Sequence, residues 1–277
     1  MNENNSASTD TSSAKRNGLR PMPKVNTITA NDVIDALAAG LSDFRKAPGY
    51  GLAIGAFFAI GGLFVILSAA ALDLTYLSYP AAAGFVLLGP FAAVGLYEVS
   101  RRLEKGDTLS WSEILKTMWA QKSRELSWMA FVVLFIQIMW MYQVRLLLAL
   151  FLGFRSFASF DEFLSEVIST PEGLMFLAVG HVVGAVLSLI LFSLTVVSFP
   201  LLLEDDRDFI TAMITSVRSV VASPVPMIGW AFVVTAVLVV SMIPAFLGLI
   251  ATLPILGHTT WHLYRKCVEA PEEAAKA

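Results

Sequence analysis

VLLGPFAAVGLYEVSRRLEKGDTLSWSE, residues 86–113, decides the fold. An apolar run ends at Tyr97. A basic cluster follows at Arg101, Arg102 and Lys105. Ser110-x-x-Glu113 then has the spacing of a capping box, in which residue and backbone satisfy each other's hydrogen bonds at a helix start. Behind it, Trp111, Ile114, Leu115, Met118 and Trp119 repeat at helical spacing. A transmembrane helix that leaves the bilayer on its cytoplasmic side and continues along the surface reads in this order, because cytoplasmic loops are enriched in Lys and Arg.

The same grammar extends outward. Hydrophobic residues make up 56% of the 277-residue chain and charged residues 15%, against about 25% charged in soluble domains. The apolar excess lies in runs long enough to cross a hydrocarbon core, which takes about 20 helical residues. The expected fold class is therefore all-α: a polytopic membrane protein with six transmembrane helices and three cytoplasmic amphipathic surface helices. Residues 1–28, rich in Asn, Ser, Thr and Lys, form an expected disordered cytoplasmic tail. Residues 29–268 form the membrane domain, with spans at about 50–72, 77–99, 128–150, 172–203, 227–246 and 249–264, and residues 269–277 a C-terminal tail. The first surface helix begins at the capping box Thr29-x-x-Asp32 and carries Ile34, Leu37, Leu41 and Phe44 on one stripe. The third opens at Asp205-x-x-Asp208 and carries Ile210, Met213, Ile214, Val217 and Val221. Thr170-Pro171-Glu172 starts the fourth span, with Pro at the first helical position.

Spacing suggests an internal repeat of surface helix, span, span. Asp32 to Pro48 and Asp208 to Pro224 are the same length. Pro90 and Pro254 are each followed by an aromatic seven residues on (Tyr97, Trp261) and a basic pair eleven and twelve on (Arg101–Arg102, Arg265–Lys266). Triplication and convergent punctuation of membrane helices both account for this pattern.

Charge sets the orientation. Seventeen of the 19 Lys and Arg residues fall in the tail, after spans two and four, or at the C-terminus, leaving Arg145 and Arg155 for the other face. The expectation is a multi-pass protein of a bacterial inner membrane with both termini cytoplasmic and the surface helices near anionic lipid headgroups. Cys267, the single cysteine, excludes an internal disulfide and is the natural thiol reporter of sidedness. A net charge of −3 and the lack of a basic aromatic tract give no sign of nucleic acid.

Polar residues inside spans are costly and so are candidates for function. They are Glu98, Arg101 and Arg102 at the inner end of span two, Arg145 near the outer end of span three, His181 in span four, and His258 and His262, one turn apart on span six. Glu98 reads as an interfacial ion pair with the arginines, or as a proton relay. Arg145 reads as snorkelling to the headgroups. His258 and His262 could ligate haem, or serve as interhelical hydrogen-bonding groups. No metal site and no cofactor is expected. There is no phosphate-binding Gly-Lys loop, no zinc pair and no Gly-x-Ser-x-Gly elbow, so nothing marks an enzyme.

The stretch VLLGPFAAVGLYEVSRRLEKGDTLSW, with TPEGL, DFITAMITSVR and GHTTWHLYRK, resembles a bacterial family of integral membrane proteins, domain of unknown function 2189. The resemblance implies an inner-membrane protein and no activity. A cytochrome oxidase subunit I label, sometimes attached to related sequences, fails on arithmetic: its haems and copper need six histidine ligands, and the chain has three. The functional expectation is a non-enzymatic scaffold or assembly partner, with a protein partner at the surface helices, or a transporter-like bundle. The alternative is a haem-binding redox protein using His258 or His262.

Overall fold

The computed structural model describes residues 21–71, 89, 92–120, 124–153 and 160–269. In chain order the helices are α1 (Ala30–Lys46), α2 (Pro48–Ala71), α3 (residues 92–105), α4 (Trp111–Ala120), α5 (Arg124–Phe151), α6 (Phe160–Ser169), α7 (Pro171–Thr195), α8 (Ser198–Glu204), α9 (Phe209–Ala222), α10 (Pro224–Met242) and α11 (Leu249–Cys267). Among the described residues the only β-pairing is the isolated bridge Val25–Val268.

Among the described residues, four segments are long and apolar enough to cross a membrane: Pro48–Val65, Glu125–Leu152, Pro171–Glu204 and Pro224–Met242. They correspond to the first, third, fourth and fifth expected spans. The second falls largely on residues outside the description, which resumes in α3. The sixth exists as α11 but does not reach that apolar threshold, because its last three turns carry His, Thr, Arg and Lys residues, of which His258 and Thr259 are buried in protein.

Local chemistry sets the boundaries. Thr29 and Asp32 form a complete capping box at α1, and Thr170 caps α7 through the Gly173 N–H, with Pro171 at the first helical position. At α9 the cap is Asp208, which accepts from the Thr211 N–H. Asp205, expected to open that helix, instead ends α8 and pairs with Arg207 at 2.6 Å. The expected continuous fourth span breaks at Val196–Val197. Pro200 lacks an N–H and crowds the carbonyl four residues back, that of Val196. The Val197 N–H donates to the Ser216 hydroxyl of α9 at 3.1 Å. The turn between the last two helices uses left-handed backbone at Ala245 and Phe246, so α10 ends at Met242 rather than near residue 246.

α11 is the hub of the packing. It crosses α1 so closely that a Cβ on Gly40 would stand 2.5 Å from the Thr259 nitrogen, and it crosses α2 with Gly55 against the Ile250 backbone. Small residues at helix crossings let backbones approach this way. Leu96 of α3 packs on Gly257. The largest buried cluster joins Val94, Tyr97, Leu126, Leu201, Met227, Trp230, Trp261 and Tyr264 at one end of the bundle. Toward the other end, the long helices turn Phe64, Leu150, Val182 and Phe232 outward. Residues 21–28, within the expected disordered tail, run extended along this hub: the Asn26 N–H donates to the Cys267 carbonyl, and the Ile28 N–H to Ser223 Oγ. Cys267 is fully buried, so it cannot serve as the expected thiol reporter.

The amphipathic helices pack through their small and polar residues and turn their large apolar residues outward. α1 buries Ala36, Gly40 and Asp43 and leaves Ile34 62% exposed. α9 buries Ala212, Thr215, Ser216 and Ser219 and leaves Val221 72% exposed. In α4, Ile114 is buried against Val99, while Trp111 and Leu115 face outward. The side chain of Trp119 lies outside the described residues.

Candidate functional site

The last three turns of α11 spread His258, Trp261, His262, Tyr264, Arg265 and Lys266 around the helix. At 3.6 residues per turn these reach α1, α3 and α8 at once. His262 Nε2 lies 2.6 Å from Asp43 Oδ2 on α1, and His258 Nδ1 lies 2.8 Å from Ser100 Oγ on α3. Ser100 stands close enough to Asp43 to help hold its carboxyl down, so the pairs His262–Asp43 and Ser100–His258 form one chain of polar groups across three helices. Burial pushes the Asp43 carboxyl up. The hydrogen bond and charge of His262, then Ser100 and His258, outweigh burial and leave it below its ordinary value.

His258 Nε2 is fully buried and has no hydrogen-bond partner among the described residues. The residue types are those of a serine hydrolase, but the pairing is not. There one histidine stands between acid and serine; here two different histidines meet them, His262 the acid and His258 the serine, and the serine oxygen is sealed from substrate.

Two ion-pair clusters flank this chain. Glu98, 0% exposed, accepts from Arg101 at 2.7 and 3.0 Å and from Arg102 at 2.7 Å. Arg102 continues to the Thr108 carbonyl at 3.2 Å and faces Glu113 at 3.6 Å, which fixes the α3–α4 connection. On the far side, Glu204 accepts from the Tyr264 hydroxyl at 2.6 Å and from Arg265 at 2.8 Å, and Glu104 accepts from Arg265 and Trp261 at 3.2 Å each. Lys266 reaches Asp32 and Asp35 of α1 at 3.0 and 3.2 Å.

The structure thus brings together Glu98, Arg101, Arg102, His258 and His262. Arg145 sits exposed on α5 and His181 on α7, both outside the hub. Sequence reasoning missed Asp43, Ser100, Glu104, Glu204, Trp261 and Tyr264 as hub members. Asp43 had a usable signal: with Ala36 and Gly40 it forms a small-residue face four and three residues apart, the mark of a tight helix crossing.

One outcome concerns acid. The Thr29 backbone and side-chain hydrogen bonds, with Lys266, pull the Asp32 carboxyl from 3.8 down to about 2. A depressed carboxyl contributes stability above its unfolded value and loses it as pH falls through the folded value. Melting of wild type and Asp32→Asn in mild detergent should differ above about pH 4, and the gap should close by about pH 2. A gap of constant size across that range refutes the charge as its source.

Residues 78–204 match the profile of a family described as predicted integral membrane protein (DUF2189). That stretch of the chain is similar to the family, and the chain is an integral membrane protein with several segments long and apolar enough to span. The matched region contributes Glu98, Ser100, Arg101, Arg102, Glu104 and Glu204 to the hub; Asp43, His258, His262 and Arg265 come from sequence flanking it. No curated protein and no solved structure matches the chain.

Proposed function

We propose that this protein is a non-enzymatic membrane scaffold, a six-span bundle in a bacterial inner membrane with both termini on the cytoplasmic side. The observation that carries this reading is the hub: its charged groups are spent on one another and clamp α1, α3, α8 and α11 into a plate. Three surface helices rim that plate and turn large apolar side chains outward. An amphipathic helix with such a face lies in the headgroup layer, and the same faces suit a protein partner. The basic residues beside them favour anionic lipid.

A quasi-threefold build is supported by matched crossings. α1 crosses α11 at Gly40 and Thr259, α4 meets α3 at Met118 and Gly95, and α9 meets the α7–α8 break at Ser216 and Val197. Gly40 and Ser216 each lie eight residues after the aligned Asp32 and Asp208. Thr259 and Gly95 each lie five after the aligned Pro254 and Pro90.

Photocrosslinking from p-benzoylphenylalanine at Ile34, Leu115 and Ile214 in cells should give lipid adducts and a discrete protein adduct. Absence of any protein adduct, together with solute flux in proteoliposomes, overturns the scaffold in favour of a transporter. For sidedness, Ala277→Cys in a Cys267→Ser background should react with an impermeant maleimide in inside-out vesicles only. Labelling in intact spheroplasts reverses the topology.

The Nε2 of His258, without a partner among the described residues, favours a second reading, a haem-binding redox protein. His262 offers no free Nε2, and a haem at His258 requires α11 and α3 to part. A Soret band in protein purified after haem-replete expression is the result that reading needs.

A further inference from the structure

Between α5, α7 and α10, three of the segments long enough to span a membrane, runs a groove of about 670 Å³. It follows α7 from Phe176 to Phe192, about 24 Å at 1.5 Å per residue. Trp140, Phe176, Phe192 and Phe232 wall it with aromatic surface, and four polar side chains interrupt that surface: Gln143, His181, Ser188 and Thr235, the last with its hydroxyl spent on the Ala231 carbonyl. His181 lies ten residues into α7, about 15 Å from that helix's start, and Gln143 lies eight residues from the end of α5, about 12 Å. Both lie inside segments long and apolar enough to cross a membrane.

The chemistry of His181 defines what it lacks. Its Nδ1 is 2.7 Å from the Leu177 carbonyl oxygen. A carbonyl only accepts, so Nδ1 carries the proton, and in the neutral ring Nε2 is a lone pair that needs a donor. Among the described residues neither Nε2 nor the Gln143 amide has a hydrogen-bond partner. Polar groups at membrane depth without partners are expensive. A phospholipid cannot supply the donor, since its charged head stays at the interface and only tails reach this level. A free acyl tail fills the aromatic walls but leaves Nε2 unmet.

We propose that this groove binds an amphiphile from the bilayer that has a long apolar tail and a small uncharged head bearing a hydroxyl, which donates to His181 Nε2. The Gln143 amide meets a second oxygen on the same head. The volume lies within the range of about 300–1,000 Å³ usual for small-molecule sites, and the class described is that of alkyl hydroquinones and related isoprenoid alcohols.

The test uses the full chain in lipid nanodiscs, with decyl-1,4-hydroquinone and its dimethyl ether as probes. The ether keeps tail and ring but cannot donate. Wild type should bind the hydroquinone saturably and about tenfold more tightly than the ether, the ratio expected when a buried acceptor loses its donor. His181→Leu should abolish that preference, bringing the two affinities to within about twofold of each other. His181→Gln, which restores an acceptor oxygen, should recover the preference to within about threefold. Equal affinity of wild type for the two probes, or no saturable binding of either, overturns the proposal without recourse to a variant. Displacement of hydroquinone by phosphatidylglycerol at comparable concentration also overturns it and assigns the groove to bulk lipid.

Discussion

Glu98→Ala is expected to lower the stability of the protein by about 3–5 kcal/mol, the cost of removing one partner from a buried ionic cluster. Glu98 is completely enclosed, and it receives three hydrogen bonds from Arg101 and Arg102. Without it, two guanidinium groups face each other in a half-buried site, and Arg102 loses the anchor that aims it at the Thr108 carbonyl. For a chain of this size the loss corresponds to a drop in melting temperature on the order of 10 °C, read as loss of monodisperse protein on heating in mild detergent. Glu98→Gln, which keeps the shape and an acceptor, should cost less. Adding Arg101→Ala to Glu98→Ala should recover part of the loss, because fewer cations are then stranded. A Glu98→Ala shift below about 2 °C would show that the cluster is solvated and contributes little.

Gly40→Val is the second large effect, and it acts through space instead of charge. Any Cβ at Gly40 meets the Thr259 hydroxyl and stands 2.5 Å from its nitrogen and 2.8 Å from its Cα. Backbone cannot rotate away as a flexible side chain can, so α1 has to lift from α11. The cost falls at or above the upper end of the roughly 1–3 kcal/mol typical of overpacking, since the Asp43–His262 and Lys266–Asp32 contacts stretch together. Even Gly40→Ala should be destabilising. Gly49, near the start of α2, has open space around its Cα. Gly49→Ala should be neutral or raise stability by about 0.4–1 kcal/mol through reduced chain entropy. Limited proteolysis should release α1 early in Gly40→Val and at the wild-type rate in Gly49→Ala. Equal rates would mean that α1 is not held by this crossing.

Features that depend on a few neighbouring residues were legible in the sequence. Thr29 with Asp32 and Thr170 with Pro171 mark helix starts by chemistry confined to one turn, and each stands where the pattern puts it. The prolines at 48 and 224 were legible as the ends of the surface helices, and the helices after them start on the prolines themselves, two and three residues before the expected spans. Glu98 could be read as a partner of Arg101 and Arg102 for the same reason, as both arginines lie one turn on from it. The rest of the hub could not. Asp43 and His262 are 219 positions apart, and Ser100 and His258 are 158 apart, so no local pattern records either pairing. The apolar stripes of α1 and α9 were legible, and Ile34 and Ile210 stand exposed on them. What the stripe does not record is the opposite face, where close approach to another helix selects Ala36, Gly40 and Ser216. α11 illustrates the same point, because a helix shielded by protein on several sides has no need of the apolar composition that marks its neighbours.

The pairing of α1 with α11 also has a temporal meaning. The ribosome delivers α1 first and α11 last, so Asp43, Glu104 and Glu204 emerge long before His262 and Arg265 exist to meet them. Every intermediate of biosynthesis carries these acids without their final partners, and the plate closes only when residue 268 is free to take its place beside Val25. A nascent chain cut short before α11 is left with an open acidic seam, its carboxylates without the cations and imidazole that close it.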